Sequence, residues 1–531
     1  MAMAPHLRIR SLYLNVSMRH SNKPFKATKW LLWCLEVGQR NIAALSLTVA
    51  QSKLVDCPLP WSVCRCRECL ARCFSHVPAA VYQRGDAGLI GVGTFTKLTG
   101  FFPPRRKKFA LVCACEMPDQ LKTVLSEFAR FTRTSRGDEK SEGSRIMYVQ
   151  YTNPAGYPPL EHSSRILADR GWQVLFLGTD AHGAEALEFP AHPNLTVLRW
   201  KFQQPGLWQK LHFLAFNDWV LVSALRWKPK WIYASDPFAC PVALLLKSIG
   251  FRVLYHEHDS PGKVESRTAK VENFSKPSAF QRFLLWTRKK LARCADLCVL
   301  PNERRIDVFK QQTATSRPVI CVWNCPSRDE AGVQPEKSAD DLILFYHGSI
   351  VPDRLPVSVI YALADLPSSV RLRIAGYETA GHPRYARELE EFAGSLRLGS
   401  RFEYLGSLSS RQALLPEPRK AHVGLALMPM KAIDLNLQTM TGASNKPFEY
   451  MACGLALLVS DLPDWSEMFV DPGFARACDP REPKNITEAV RWFIEHPKET
   501  REMGERGRKQ VLDEWNYETQ FEAVSRVLES V

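Results

Sequence analysis

The sequence predicts an α/β protein: two doubly wound (Rossmann-like) domains facing each other across a cleft, preceded by an irregular basic extension. Three observations carry that expectation. Short apolar runs of strand type alternate with helical stretches from residue 145 onward. A polar break at Ser327–Asp341 separates two such series. The excess of basic charge is confined to what precedes them.

The first series opens with RIMYVQY at 145–151, followed by a turn cluster, Asn153-Pro154-Ala155-Gly156-Tyr157-Pro158-Pro159. A helical stretch then runs to Arg170, Gly171 stands as its C-cap, and VLFLG at 174–178 is the next strand. The rhythm recurs through WIYA (231–234), a helix to Lys247, VLYH (253–256), a helix to Arg293 and LCVL (297–300). After VICVWNCP (319–326) and the polar linker, a second series runs through LILFYHG (342–348), RLRIAG (371–376), FEYLG (402–406), HVGLALM (422–428) and LALLVSD (455–461). A largely helical tail from Lys484 closes the chain. Strands and helices in this alternation make parallel sheets covered on both faces. The domains are accordingly 1–143 (extension), 144–326 (first Rossmann-like domain) and 342–531 (second domain with closing helices).

Charge and cysteine narrow the function class. The 531 residues carry a formal net charge of +15, yet residues 1–143 hold 22 Lys+Arg against 10 Asp+Glu and the remainder 48 against 45. A nucleic-acid field over the whole surface is therefore not supported, and no nucleic acid is expected as a partner. A nucleic-acid role confined to the extension is the alternative, with salt-sensitive binding as its signature. Eight of fifteen cysteines lie before residue 144. The later ones, such as Cys294 and Cys298, sit in apolar contexts typical of buried thiols, so a reducing, cytoplasmic location is expected. Cys64, Cys66, Cys69 and Cys73 lack the two separated pairs of a zinc site, and the extension is read as a poorly ordered leader. An organellar targeting peptide is its other reading, since no acidic residue precedes Glu36. The most apolar stretch, Trp30 to Ala50, is broken by Glu36, Gln39, Arg40 and Asn41, so no transmembrane helix is predicted.

The most informative segment is Gly442-Ala-Ser-Asn-Lys-Pro-Phe-Glu-Tyr-Met-Ala-Cys-Gly454. Ser444, Asn445 and Pro447 are helix-start signals and Gly454 ends the helix. Lys446 and Glu449 share one face near its N-terminus. A helix mouth with free N–H groups and a positive dipole end suits a diphosphate; the lysine adds a cation, and the carboxylate can accept from two ribose hydroxyls. The bland alternative is a surface Lys–Glu pair worth roughly 0.2–0.5 kcal/mol.

NKPFEYMACGLALLVSDLPDWSEM resembles the donor-binding helix and following strand of the family-4-like retaining glycosyltransferases with the GT-B fold. The opening turn at Gly156, YHGSIVPDR (346–354), IAGYE (374–378), EYLGSL (403–408) and EWNYETQF (514–521) are similar to that family in order and spacing. The resemblance implies transfer of a sugar from a nucleoside diphosphate, the co-substrate, with no cofactor. It implies that Glu449, the second glutamate of the family's Glu-x7-Glu pattern, binds the donor ribose, and that Lys446 and Arg354 clamp the diphosphate. The first glutamate of that pattern would fall at Thr441, a departure that leaves the grip on the transferred sugar open. Gly348 is expected to let phosphate approach the backbone, and Gly376 and Glu378, at a strand's C-terminal end, to contact the donor together with Asn445.

On the first domain, VLYHEHDSP puts His256, Glu257, His258 and Asp259 at a strand end facing the cleft. His258 is the candidate to orient or deprotonate the acceptor hydroxyl, with Asp259 fixing its tautomer or binding the acceptor. Gly156, Tyr157 and His256 are expected on the acceptor side. A zinc site and simple strand capping are the rival readings of the cluster. Asp236 opens a helix and is read as structural. No Asp-x-Asp element occurs in the chain, so a metal-free site is expected, with Arg354, Lys446 and the helix N-terminus neutralising the leaving group. Trp200 to Trp231 interleaves tryptophans with basic residues. It reads either as a core helix flanked by solvated lysines or as a peripheral contact with the inner face of an anionic membrane. The expected acceptor is a glycan or glycolipid hydroxyl. A noncatalytic nucleotide-sugar-binding scaffold of the same fold is the alternative, motivated by Thr441.

Overall fold

A computed structural model describes residues 143–181, 187–261, 277–332, 341–379 and 381–530, all within one compact unit, Glu116–Val531. The expectations placed on the extension lie outside the described residues.

The first domain is built on seven parallel strands: β1 (Arg145–Val149), β2 (Gln173–Thr179), β3 (Leu195–Trp200), β4 (Trp231–Ser235), β5 (Arg252–His256), β6 (Leu297–Leu300) and β7 (Val319–Cys321). Their order is β3-β2-β1-β4-β5-β6-β7. The second is built on β8 (Leu342–Ile350), β9 (Val370–Glu378), β10 (Phe402–Tyr404), β11 (Val423–Ala426), β12 (Ala456–Ser460) and β13 (Ala475–Cys478), again parallel, in the order β10-β9-β8-β11-β12-β13. Both sheets thus reverse direction beside their first strand, and each opens a crevice at its carboxyl edge there. The two-domain doubly wound fold read from the sequence is the fold observed. β3 and β13 are additions to that reading. Both are edge strands in which polar, incompletely buried positions interrupt the apolar run, as in LTVLRW and ARAC.

In the first domain the helices are α1 (Pro158–Asp169), α2 (Leu207–Trp227), α3 (Asp236–Ser248), α4 (Ala279–Ala292) and α5 (Glu303–Thr313). α2, α3, α4 and α5 all pack into one apolar core on the same face of the sheet. In the second domain the longer helices are α6 (Ser358–Ala364), α7 (Tyr385–Ser395), α8 (Asn445–Ala452), α9 (Pro483–Glu495) and α10 (Pro497–Asp513).

The last helix, α11 (Tyr517–Glu529), crosses back. Tyr517, Phe521, Val524 and Leu528 recur at helical spacing and are fully buried against Ile146, Tyr148 and Trp231 of the first domain. Trp231 Nε1–H donates to the Leu528 carbonyl at 3.2 Å. The tail therefore closes the first domain, not the second, because that is where its apolar stripe finds cover. At roughly 1.5–3 kcal/mol for each large apolar side chain fully buried, those four residues hold the domains' ends together.

α2 of the tryptophan-rich segment has one face in the core and one outside it. Phe213, Phe216, Trp219, Val220 and Trp227 face the core, as do Trp200 and Trp231, whereas Leu207, Trp208, Leu214, Val222 and Leu225 are exposed on the opposite side. Among the described residues no helix is long and apolar enough to cross a membrane.

Candidate functional site

The carboxyl edges of the two sheets enclose a cleft of about 460 Å³ lined from both domains. Gly156, Tyr157, His258 and Asp259 reach it from the first domain; Gly348, Arg354, Gly376, Asn445, Lys446 and Glu449 reach it from the second. Ten of the sequence-predicted site residues thus converge on one cavity. His256 and Glu378 do not line it.

The floor on the second domain is made by glycine. Gly348 and Gly376 pair directly in the β8–β9 register. A Cβ on Gly376 would fall 1.9 Å from the Gly348 carbonyl oxygen, and one on Gly348 would fall 3.2 Å from the Lys446 Nζ. Both therefore bring backbone against the space into which α8 opens. α8 starts at Asn445 with extended Ser444 before it, and Gly454, at φ 64°, terminates it. Its inner face, Phe448, Tyr450, Met451 and Ala452, is core. Tyr450 lies over Gly424 of β11, where a side chain would meet its ring at 2.3 Å, and its hydroxyl accepts the His347 N–H at 3.0 Å. Packing therefore fixes which side of α8 faces the cleft, and that side carries Lys446 and Glu449.

Lys446 is buried, with Nζ 5.5 Å above the Tyr346 ring. Burial, reinforced by the positive charge of Arg354 and only partly opposed by Glu449, pushes its ammonium from the ordinary 10.5 down to about 7. Arg354 contacts the Met440 sulfur through Nη2 at 3.8 Å.

Glu449 sits in an ionic network that crosses the domain boundary. Its Oε1 accepts from Arg411 Nη1 at 2.6 Å and its Oε2 lies 2.9 Å from His347 Nε2. Arg411 in turn forks onto Glu330, Nε to Oε1 and Nη2 to Oε2, both at 2.7 Å. His162 of α1 lies 3.6 Å from the same Glu330 carboxylate. Burial alone would raise the Glu449 carboxyl, but Arg411 and His347 overcome it and hold the group well below the usual carboxylate range. Burial would likewise raise Glu330; Arg411 and His162 bring it down. Glu161, one residue before His162, is pushed up to about 7 by burial. Glu330 lies in the segment read from the sequence as a plain polar linker, where it instead closes a buried charge chain.

On the first domain, His258 is buried with its ring 5.3 Å from that of Tyr157, and neither ring nitrogen has a hydrogen-bond partner among the described residues. Burial, helped by the positive charge of Arg305, drives it down to about 3, so it is a neutral imidazole at physiological pH. Asp259 is exposed at the cleft mouth, its Oδ1 3.5 Å from Arg305 Nη1. It does not fix the His258 tautomer, because neither His258 nitrogen is bonded to it. Asp236 Oδ1 accepts the His258 backbone N–H at 2.9 Å and braces the loop, the structural part expected of it.

Two residues depart from expectation. His256 lies against His258 with ring centroids 3.8 Å apart and planes tilted by 37°, and its Nδ1 bonds the Tyr233 hydroxyl at 2.5 Å, so it supports the cleft wall from within the core. Glu378 accepts the Ala386 N–H at 2.9 Å and serves the first turn of α7 in place of the cleft. Glu257 is consumed by a two-pronged pair with Arg288 at 2.5 and 2.6 Å. Thr441, at the position of the family's first glutamate, donates to Asp464 Oδ2 at 2.5 Å and is not part of the cleft lining. Among the described residues no group of three or more His, Cys, Asp or Glu stands where it could hold a metal ion. Arg411, His347 and Glu330 were not singled out from the sequence. His347 lies inside the quoted YHGS run, but no local spacing marks the other two.

Comparison with known proteins now adds to this geometry. The glycosyl transferase 4-like domain family matches residues 160–308 and the glycosyl transferase-like family matches residues 361–525, together more than half of the chain. A search of curated proteins finds no match. Among solved structures the chain is similar to HepE of Anabaena in complex with UDP (17% identity, TM-score 0.52, 73% of this chain and 100% of that one). It is also similar to sucrose-phosphate synthase of Thermosynechococcus elongatus (16%, 0.54, 73% and 98%). A third is WaaG, a glycosyltransferase involved in lipopolysaccharide biosynthesis (13%, 0.53, 73% and 100%). Two Rossmann-like sheets, a cleft lined by both and both domain matches in chain order lead to one conclusion: the chain belongs to the family-4-like glycosyltransferases of GT-B fold.

Proposed function

We propose that the enzyme moves a sugar from a nucleoside-diphosphate sugar to a hydroxyl of a glycan or glycolipid, with retention at the anomeric carbon and without a metal ion or other cofactor. One observation carries this reading. Lys446 and Arg354 converge on a glycine floor and a helix mouth, the combination of cation, close backbone and dipole that a diphosphate needs. HepE, of the same fold, has been crystallised with UDP and with UDP-glucose. In this reading Asn445 and Gly376 border the phosphates and Glu449 takes the ribose. Arg411 and His347 occupy one direction on each Glu449 oxygen, and a carboxylate oxygen has a second lone pair free for a hydroxyl.

In the transfer step, the bond from the anomeric carbon to the β-phosphate oxygen breaks while the acceptor oxygen bonds the same carbon on the same face. The acceptor proton passes to the departing phosphate oxygen. Lys446 and Arg354 neutralise the charge that develops there. His258, neutral and with neither nitrogen paired among the described residues, hydrogen-bonds a sugar hydroxyl; its low basicity suits orientation better than proton removal. Gly156 and Tyr157 shape the acceptor side, with Asp259 at the mouth. Radiolabelled transfer from UDP-, GDP-, ADP- and dTDP-sugars, with and without EDTA, tests the proposal, and NMR of the product reads its anomeric configuration. Donor binding without transfer to any acceptor would favour the scaffold reading; loss of activity with EDTA or an inverted product would remove the corresponding part.

The acceptor is read as membrane-borne, supported by the outer surface of the α2–α4 layer. Trp208 is 62% and Trp286 49% exposed, alongside Leu207, Leu214, Val222, Leu225 and Leu285. Lys210, Arg226, Arg282, Lys289 and Lys290 border them on the same helices. Exposed tryptophans and leucines on helices carrying more exposed cations than anions (Asp218 is the acidic residue on the outer face of α2) fit an anionic bilayer, at the inner face of a membrane. Flotation with phosphatidylglycerol vesicles should carry the wild type and lose Trp208→Ser/Trp286→Ser; equal flotation on neutral vesicles, or none at all, would end this part.

A further inference from the structure

Arg305, in the first turn of α5, has a guanidinium that is almost wholly buried; among the described residues its one ion-pair partner is the exposed Asp259, while Glu257 and Asp434 act on it from further off. Its five N–H donors are spent on two loops from different domains. Nη1 donates to the His258 carbonyl and approaches Asp259 Oδ1 at 3.5 Å. Nε donates to the Thr439 carbonyl at 3.2 Å and hydroxyl at 3.0 Å, and Nη2 to the Asn436 carbonyl at 3.1 Å and the Met440 sulfur at 3.4 Å. Neighbouring bonds tie the same donor-side segment to the acceptor-side loop and to the start of α5. Asn436 Oδ1 accepts the Ser260 N–H at 2.8 Å, its Nδ2 donates to the Ser260 carbonyl at 3.0 Å, and Asn302 donates to the Thr441 carbonyl. Met440 is shared with Arg354 and is followed directly by the residues that open α8.

We propose that Arg305 is the positioning residue that sets the distance and register between the acceptor-side loop at 256–260 and the donor-side segment at 434–444. It touches neither reactant. A planar fork fixed by several carbonyls at once defines one relative placement of the loops, which a flexible ammonium cannot reproduce. The burial of a cation satisfied mainly by neutral carbonyls is costly, and a residue used only for packing would not need it. The proposal rests on the donor and acceptor sides assigned above.

The test compares Arg305→Lys and Thr439→Val with the wild-type enzyme. The lysine variant keeps the charge and loses the fork; we expect kcat lowered on the order of a hundredfold, as for a misplaced reacting pair, with the donor Kd within about threefold. Thr439→Val removes one acceptor and is expected to lower kcat about fivefold, the equivalent of one hydrogen bond. Arg305→Ala should regain activity with millimolar methylguanidinium. An unchanged kcat in Arg305→Lys, or a donor Kd weakened in proportion to kcat, would overturn the proposal. Hydrogen exchange gives a readout that does not depend on turnover: amides at 256–260 and at 434–444 should loosen together in Arg305→Lys. Loosening of one loop alone would overturn the proposal even if no donor in the panel supports transfer.

Discussion

If Lys446 takes the donor diphosphate as proposed, donor binding is a proton-linked event. Burial, then the positive charge of Arg354, bring the Lys446 ammonium from an ordinary 10.5 down to about 7. A donor diphosphate, ionised throughout the neutral range, replaces the lost solvation and offsets the repulsion from Arg354, returning the lysine toward its ordinary value. The sign follows. Above pH 7 the free protein must take up a proton to bind, so the donor Kd approaches a tenfold rise per pH unit, about fiftyfold in all from pH 7 to pH 9, which is roughly 2.3 kcal/mol. Below pH 7 the dependence levels off. The folded protein without donor behaves oppositely: between pH 7 and 10.5 the unfolded lysine holds a proton that the folded one has released, so this group's contribution to stability rises with pH. Calorimetric titration of a nucleoside diphosphate in buffers of different ionisation enthalpy at pH 8 should report uptake of close to one proton, absent in Lys446→Met. A buffer-independent enthalpy, or a Kd flat across pH 7–9, would refute the reasoning.

Three further outcomes follow from the geometry. Arg411→Ala strips two buried carboxylates, Glu330 and Glu449, of their shared cation, so it should cost about 3–5 kcal/mol in denaturant unfolding; a cost under 1 kcal/mol would mean the network is slack. Gly376→Ala drives a methyl to within 1.9 Å of the Gly348 carbonyl oxygen, so diphosphate binding should weaken at least tenfold with a lowered Tm, measured by calorimetry and thermal shift. Thr441→Glu recreates the family's residue but sets it against the Asp464 carboxylate; Tm should fall and activity should not rise, whereas the double change Thr441→Glu/Asp464→Asn should recover the stability.

The fold was legible because each strand and helix announced itself locally, through apolar runs such as LCVL and punctuation such as Gly171 and Gly454. What local pattern could not tell was where an apolar stripe would find its partner, and α11 went to the other domain for that reason. The same distinction divides the site. Lys446 and Glu449 were visible because a single helical turn relates them. Arg411, Glu330 and His347 meet Glu449 through contacts between distant parts of the chain, and no spacing rule reaches that far. Glu378 was misread because an acidic residue at a strand end can serve a ligand or the next helix, and the chain placed a helix N–H closer. His256 and His258 were both read as facing the cleft from one strand end; depth separated them, with the inner one bonded to Tyr233.

The central claim is that Glu449 holds the ribose while Lys446 and Arg354 hold the diphosphate. Titrating a nucleoside diphosphate and its 2′-deoxy counterpart into wild type and Glu449→Gln measures it most directly. A tenfold or greater preference for the ribose form, collapsing to near parity in Glu449→Gln while persisting in Lys446→Met, is the predicted pattern. A preference that survives Glu449→Gln unchanged would contradict the account.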